Sequence, residues 1–340
     1  MPGIKEVAER AGVSQATASR ALSGRGSVSA GAQRRVKEAA AELGFVASYH
    51  ASSLATGRSR NIGVVLPYVN RWYFSTVLAG ITAPLIEAGY DLSLYDFQGD
   101  RHRATVMEDF LLRKRLDGVI TVGLRLADAD VEQLLSMNVP MVSIGGRLDG
   151  VDSLSIDDEA VGHLATDHLI SLGHTRIAHL GGENESPYYF RVSRARRDGY
   201  TAALREAALE QRAEWSVICD YTVEGAYRDA KSLLADPRHR PTGIVCASDE
   251  MAIGVILAAR DLAIRIPDQL SVIGVDRHPL GEVFGLTTID QFADQQGSRA
   301  VQALLSRLEG KDDDRPAPTT VDLPIRIVAR ASTSAPPRHD

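Results

Sequence analysis

The chain has 340 residues, 44% of them hydrophobic, and a formal net charge of −6, which suggests a small head and roughly two further domains with ample material for buried cores. The charge is uneven: residues 1–60 hold nine Lys/Arg against four Asp/Glu, a balance of +5 that leaves −11 for the rest, so nucleic acid is expected at one end only. Two distant cysteines, Cys219 and Cys246, exclude a disulfide framework and read as core thiols of a reducing compartment; no apolar run reaches membrane length.

Chain order begins with two short amphipathic helices around a corner. Val7, Ala8 and Ala11 share one face of the first, and Ala18, Ala21 and Leu22 one face of the second. Gly12 supplies the freedom a sharp corner needs, Val13 plugs it, and Ser14 can cap the second helix. This is the pattern of a helix-turn-helix, with Gln15, Ala16, Thr17, Ser19 and Arg20 left on the outer surface of the second helix. An ordinary helical hairpin is the alternative on the corner alone. A loop then leads to Ser29, which caps a third helix with an apolar stripe of Val36, Ala39, Ala40 and Leu43, ended by Gly44. Arg34, Arg35 and Lys37 on that helix suit phosphate contacts or a solvated face equally. A helix-turn-helix where a secretory signal would lie makes a cytoplasmic location the expectation.

The runs Ile4 to Leu22, Val28-Ser29, Ala39 to Phe45 and Ala51 to Ser59 together resemble the LacI family of bacterial transcription repressors, and the likeness continues to residue 330. The resemblance implies a hinge over residues 48–56 that becomes helical on the operator, with Leu54 as the residue pressed into the minor groove. An apolar wedge of that kind unstacks a base step and bends the duplex. It also implies a homodimer on a palindromic double-stranded operator.

Beyond Arg60 the pattern changes to short β-branched runs at 62–66, 91–95, 118–122, 140–144, 176–180, 215–219, 243–247 and 271–275. Helical stretches near 75–88, 102–115, 158–172, 192–208, 224–235, 249–262 and 292–309 alternate with them. Such alternation predicts doubly wound parallel sheets in two lobes, with a ligand site in the cleft beyond the strand ends. The fold expected is therefore a small all-α helix-turn-helix head followed by a two-lobed α/β core, which the resemblance likens to a periplasmic binding protein. The divisions are a head at 1–46, a hinge at 47–60, a core at 61–330 and a flexible tail at 331–340. Within the core, one lobe takes about 61–159 plus 290–320, and the other 160–289 plus the C-terminal strand.

Several strand ends match the family's effector pocket. Trp72, Tyr73 and Phe74 follow the first strand, and their flat rings suit a pyranose face or a nucleobase. Arg196 offers a fork of donors for a diol, a carboxylate or a phosphate. Asp249 and Asp276 follow later strands as paired acceptors for sugar hydroxyls, although helix capping would equally account for Asp249. Tyr221, Gln291 and Arg147 complete the candidate set. Two acidic runs read as structural: Asp157-Asp158-Glu159 opens a helix, and Asp312-Asp313-Asp314 is a solvated loop. The histidines do not repeat at a metal-binding spacing, and no glycine-rich phosphate cradle follows a strand, so neither a metal nor a nucleotide cofactor is expected.

The function expected is a ligand-responsive DNA-binding regulator, most simply a repressor with a sugar effector, and not an enzyme. The alternatives are a plain sugar-binding protein and an enzyme built in the cleft, each without a DNA role.

Overall fold

A computed structural model describes residues 2–23, 27–45, 58–97, 105, 116–137, 139–182, 192–310 and 317–337. Contacts divide these into a first unit that runs to Arg60 and also takes in Asp117, and a second that starts at Asn61 and resumes at Gly118.

The first unit contains α1 (Ile4–Ala11), α2 (Gln15–Ser23) and α3 (Ala30–Glu42). Its core is Val7, Ala8, Ala11, Ala18, Ala21, Val36, Ala39 and Ala40, small residues that let three short helices pack closely. Gly12 ends α1 at φ 64°, a left-handed geometry that glycine adopts without steric cost. Ser14 then accepts the Thr17 N–H at 3.1 Å, and Ser29 accepts the Ala32 N–H at 3.3 Å. Arg35 donates to the Ala11 carbonyl at 3.1 Å, so it closes the end of α1.

The second unit has two lobes. The first sheet has the strand order β11-β5-β4-β3-β1-β2, all parallel, from β1 (Asn61–Leu66), β2 (Asp91–Asp96), β3 (Gly118–Val122), β4 (Met141–Ile144), β5 (Asp152–Ser155) and β11 (Thr320–Asp322). The second has the order β12-β10-β9-β8-β6-β7, from β6 (Ile177–Gly182), β7 (Ser216–Cys219), β8 (Gly243–Cys246), β9 (Ser271–Val275), β10 (Thr287–Asp290) and β12 (Arg326–Val328). Among the described residues, the β10–β12 pair is the one antiparallel pairing in these sheets. Around the first sheet lie α4 (Trp72–Glu87), α5 (Asp128–Leu135) and α11 (Ala293–Glu309). Around the second lie α6 (Asp158–Ser171), α7 (Val192–Glu206), α8 (Val223–Leu234), α9 (Asp249–Asp261) and α10 (Pro279–Val283). The chain passes between lobes at 156–157, 291–292 and 323–325.

The eight expected strands are present within a residue or two, and β5, β10, β11, β12, α5 and α10 are additional. The expected helix at 102–115 and the acidic run 312–314 fall outside the described residues, apart from Thr105. Of the expected flexible tail at 331–340, residues 338–340 lie outside the described residues, and Ser332 and Ser334 within the rest are held by specific contacts. Ser332 is 1% exposed, its hydroxyl donates to the Val272 carbonyl, and the Ser334 carbonyl lies 2.8 Å from His174 Nε2. A segment of small polar residues looks like a loop in sequence, yet it completes the hydrogen bonding of a buried histidine and of the strand beside it.

One helix pair sets up the site. On α6 and α7, a Cβ placed on Gly162 would sit 1.9 Å from the Arg196 carbonyl oxygen, and one on Gly199 would sit 1.9 Å from the Glu159 carbonyl oxygen. The two backbones touch only because both positions lack a side chain. That contact carries the side chain of Arg196, on α7, to the start of α6.

Candidate functional site

On the first unit, α2 presents Gln15, Ala16, Ser19 and Arg20 to solvent, with Thr17 half-buried. Ser14, also exposed, is occupied as the cap of α2, its hydroxyl 2.8 Å from that of Thr17. Arg20 Nε donates to the Ala16 carbonyl at 3.1 Å, which lays its stem along the helix. A helix with short side chains at four of these six positions can approach base edges closely, and Gln15 and Arg20 bring the bidentate chemistry that reads adenine and guanine. Leu54 lies outside the described residues.

In the second unit both sheets reverse strand order beside their first strand, between β1 and β3 and between β6 and β8, and open α/β sheets bind ligands at such points. The residues gathered there come from both lobes. Arg196 is 6% exposed; its Nε donates to Asp158 at 2.8 Å and its Nη1 to the Ala247 carbonyl at 2.5 Å, at the end of β8. Asp276, at the end of β9, accepts the Gln291 amide. The Gln291 carbonyl accepts the Gln296 amide at 2.7 Å, and Gln296 in turn accepts the Tyr73 hydroxyl at 2.8 Å. A continuous chain of hydrogen bonds thus runs from α4 in one lobe, through the 291–292 crossing, to β9 in the other. Tyr221 meets the Ser193 hydroxyl, and Trp72 lies 5.2 Å from the His278 ring on the facing lobe. Phe74 completes the aromatic wall, 5.2 Å from Tyr73 and 5.8 Å from Tyr68.

Backbone geometry marks the same place. Tyr221, Asp276, Arg277 and Phe292 all have positive φ (58°, 122°, 62° and 53°), and each lies just past a strand end. Non-glycine residues hold such angles only where their surroundings over-determine them, which is typical of ligand sites.

The charges are coupled. Burial works against the Arg196 guanidinium, but Asp158, Tyr221 and Asp276 outweigh it and hold the proton more firmly than usual. Burial raises Asp158, opposed by Arg196. Burial pushes Asp276 up to about 7, again against the pull of Arg196 and the Gln291 amide. Burial, and then the nearby Asp158 and Asp276, also raise the Tyr73 hydroxyl, so it is a donor throughout the physiological range. With one cation against two carboxylic groups, the cluster carries no surplus positive charge for an anionic ligand.

Two expected contacts stand elsewhere. Asp249 is fully buried, and both its oxygens are taken, one by Thr288 Oγ1 and one by the His278 N–H, each at 2.7 Å. It ties β10 to the loop after β9, while Ser248 caps α9, so the expected acceptor pair reduces to Asp276. Arg147 is exposed and lines a separate depression of about 620 Å³ with Arg125, Leu126, Val131 and Leu148, because the chain turns away from the strand end at Gly145. Conversely, Asp158 reads in the sequence as one of the acids that open a helix. Asp157 performs that role, accepting the Ala160 N–H at 2.9 Å, which leaves Asp158 for Arg196. Two adjacent acids where a cap needs one were the available signal; Gln296 and Ser193 carried none.

Comparisons with known proteins place the chain in a family. The bacterial regulatory proteins, lacI family, domain matches residues 3–48, and a periplasmic binding protein-like domain matches residues 166–333. The HTH-type transcriptional repressor PurR of Glaesserella parasuis serovar 5 (strain SH0165) is 32% identical over 324 residues, 94% of each chain. The lac repressor dimer bound to operator and the anti-inducer ONPF has a TM-score of 0.84 at 27% identity, over 98% of this chain and 99% of that one. A LacI family regulator from Enterococcus faecium with bound ribose has a TM-score of 0.71 at 25% identity, over 81% and 99%.

Proposed function

The chain belongs to the LacI family of bacterial regulatory proteins, and from that premise we propose that it is a repressor whose operator affinity is set by a neutral polyhydroxylated effector, most simply a sugar, held between its lobes. The observation that carries the ligand class is the Arg196–Asp158–Asp276 cluster. The Arg196 fork keeps donors beyond the two it uses internally, and Asp276 keeps Oδ2 beyond the oxygen that meets Gln291. A donor beside an acceptor suits adjacent hydroxyls, each of which both gives and takes a hydrogen bond. Trp72, Tyr73 and Phe74 supply apolar faces for a ring. The two carboxylic groups beside one arginine disfavour a phosphate or carboxylate ligand. Ribose in the Enterococcus faecium relative is consistent with this class.

The exposed residues of α2, with Gln15 and Arg20 foremost, read one half-site in the major groove. The lac repressor of the comparison is a dimer on its operator, and the same arrangement here would place half-sites about one helical turn (~10 bp) apart on a palindrome. An apolar surface supports pairing: Leu280, Val283 and Phe284 around α10 are 51%, 80% and 37% exposed. Contiguous exposed apolar residues of this kind are what an interaction surface presents.

The test is thermal unfolding of the purified protein against mono- and disaccharides, sugar phosphates and purines. A true effector at 100 times its dissociation constant adds ~2.7 kcal/mol to the state it binds. For domains of this size that raises the midpoint by about 2–4 °C per kcal/mol. The expected result is a hit among neutral sugars that Arg196→Ala abolishes. Stabilisation by purines or sugar phosphates alone would overturn the ligand class.

A further inference from the structure

One carboxylate holds the last residues before the core. Asp117 stands immediately ahead of β3. Its Oδ1 accepts the Ser59 backbone N–H at 2.6 Å and the Ser59 hydroxyl at 2.8 Å, and its Oδ2 accepts the Arg60 N–H at 3.0 Å. Both oxygens are engaged by consecutive residues, and two of the three donors are main chain, so the grip fixes the path of the backbone and not just a side chain. Arg60 has φ 53°, a left-handed angle that a non-glycine residue keeps only where something fixes it. Asn61 comes next and opens β1, which runs beside β3 from the Ile62–Gly118 pair onward.

Those two strands also reach the cleft. Beyond β1 comes Tyr68, 5.8 Å from Phe74, and beyond β3 comes Gly123, where a Cβ would lie 2.8 Å from the Phe74 ring.

We propose that Asp117 is the anchor of the hinge root: a positioning residue that fixes the backbone of Ser59 and Arg60 and so holds one path for the chain there when the protein binds its operator. Without the anchor, Ser59 and Arg60 gain conformational freedom that operator binding must then quench, and specific affinity falls. The DNA part of this inference rests on the repressor reading above.

The experiment compares full-length wild type with Asp117→Ala, Asp117→Asn and Ser59→Ala. The first readout is limited trypsin digestion, with cleavage after Arg58 and Arg60 tracked by mass spectrometry; cleavage reports the open population of the root. Asp117→Ala is expected to be cut there about tenfold faster, the other two variants by intermediate factors, with the core's thermal midpoint and cleavage elsewhere unchanged. The second readout is affinity for a duplex that the wild type has selected from a random pool, against a scrambled duplex. Asp117→Ala should lose about tenfold on the selected duplex and nothing on the scrambled one, a change of ratio that general destabilisation would not produce. Equal cleavage at Arg58 and Arg60 in wild type and Asp117→Ala would overturn the anchor. So would cleavage rising everywhere together with early melting of the core, which would make Asp117 a fold residue only. If the wild type selects no duplex, the DNA reading fails, and the digestion arm still decides the anchor.

Discussion

Arg196 commits two donors inside the protein, to Asp158 and to the Ala247 carbonyl, and Asp276 commits one oxygen to Gln291; what remains on each is what a ligand can use. This makes the protonation of Asp276 decisive. Its ordinary value of 3.8 is pushed up to about 7, so between those limits the folded state keeps a proton that the unfolded chain releases. Folding stability should then fall as pH rises from about 4 to about 7 and level off above, and Asp276→Asn should flatten that slope in urea titrations. Effector binding runs the other way, because a ligand hydroxyl donates a stronger, charge-assisted hydrogen bond to the carboxylate than to the neutral acid. Sugar affinity measured by calorimetry should rise from pH 6 to pH 8 in the wild type and stay level in Asp276→Asn. On the DNA side, Arg20→Ala should cost ~1–3 kcal/mol on the operator and relax one base position, seen by comparing selected sequences; unchanged selectivity would remove Arg20 as a base reader.

Among the elements, α6 and α7 carry the strictest demand, since their backbones meet at Gly162 and Gly199. Gly199→Ala pushes a methyl into the Glu159 carbonyl and should cost ~1–3 kcal/mol. It should also weaken sugar binding, because Arg196 sits one turn away on the same helix; full affinity in a folded variant would show that Arg196 does not depend on this contact. Legibility in the sequence obeys the same physics. The three head helices and eight of the strands were readable because apolar residues recur at the right period or in unbroken runs. The strand β10 was not, since Thr287-Thr288-Ile289-Asp290 is mostly polar. It is buried because Asp249, Ser332 and Arg330 meet its hydroxyls and main chain, and Arg277 and Arg326 meet Asp290. Likewise Asp152 hides β5, being buried through its pairing with Arg307 and Thr319. Of the clustered residues, Arg196, Asp276 and the aromatics stand out in the sequence through their resemblance to pocket positions and, for Asp276 and the aromatics, through their places after strands. Asp158 and Gln296 do not, since their roles depend on contacts between segments far apart in sequence.

At the scale of the whole molecule, the head is basic, the core is acidic, and among the described residues no helix is long and apolar enough to cross a membrane. The exposed apolar residues around α10 set a further expectation: Val283→Arg should shift the protein from dimer to monomer in light scattering and weaken operator binding with it. A variant that stays dimeric would move the interface elsewhere. In the proposed function, regulation turns on coupling between effector binding at the Arg196 cluster and operator binding by α2. The direct measurement is operator affinity by fluorescence anisotropy, with and without the sugar that best stabilises the wild type, for wild type and Arg196→Ala side by side. Saturating sugar should change wild-type affinity by about 5–150-fold, the usual range of allosteric coupling, and leave Arg196→Ala unmoved. Equal affinity with and without sugar in the wild type, or an undiminished response in Arg196→Ala, would contradict it.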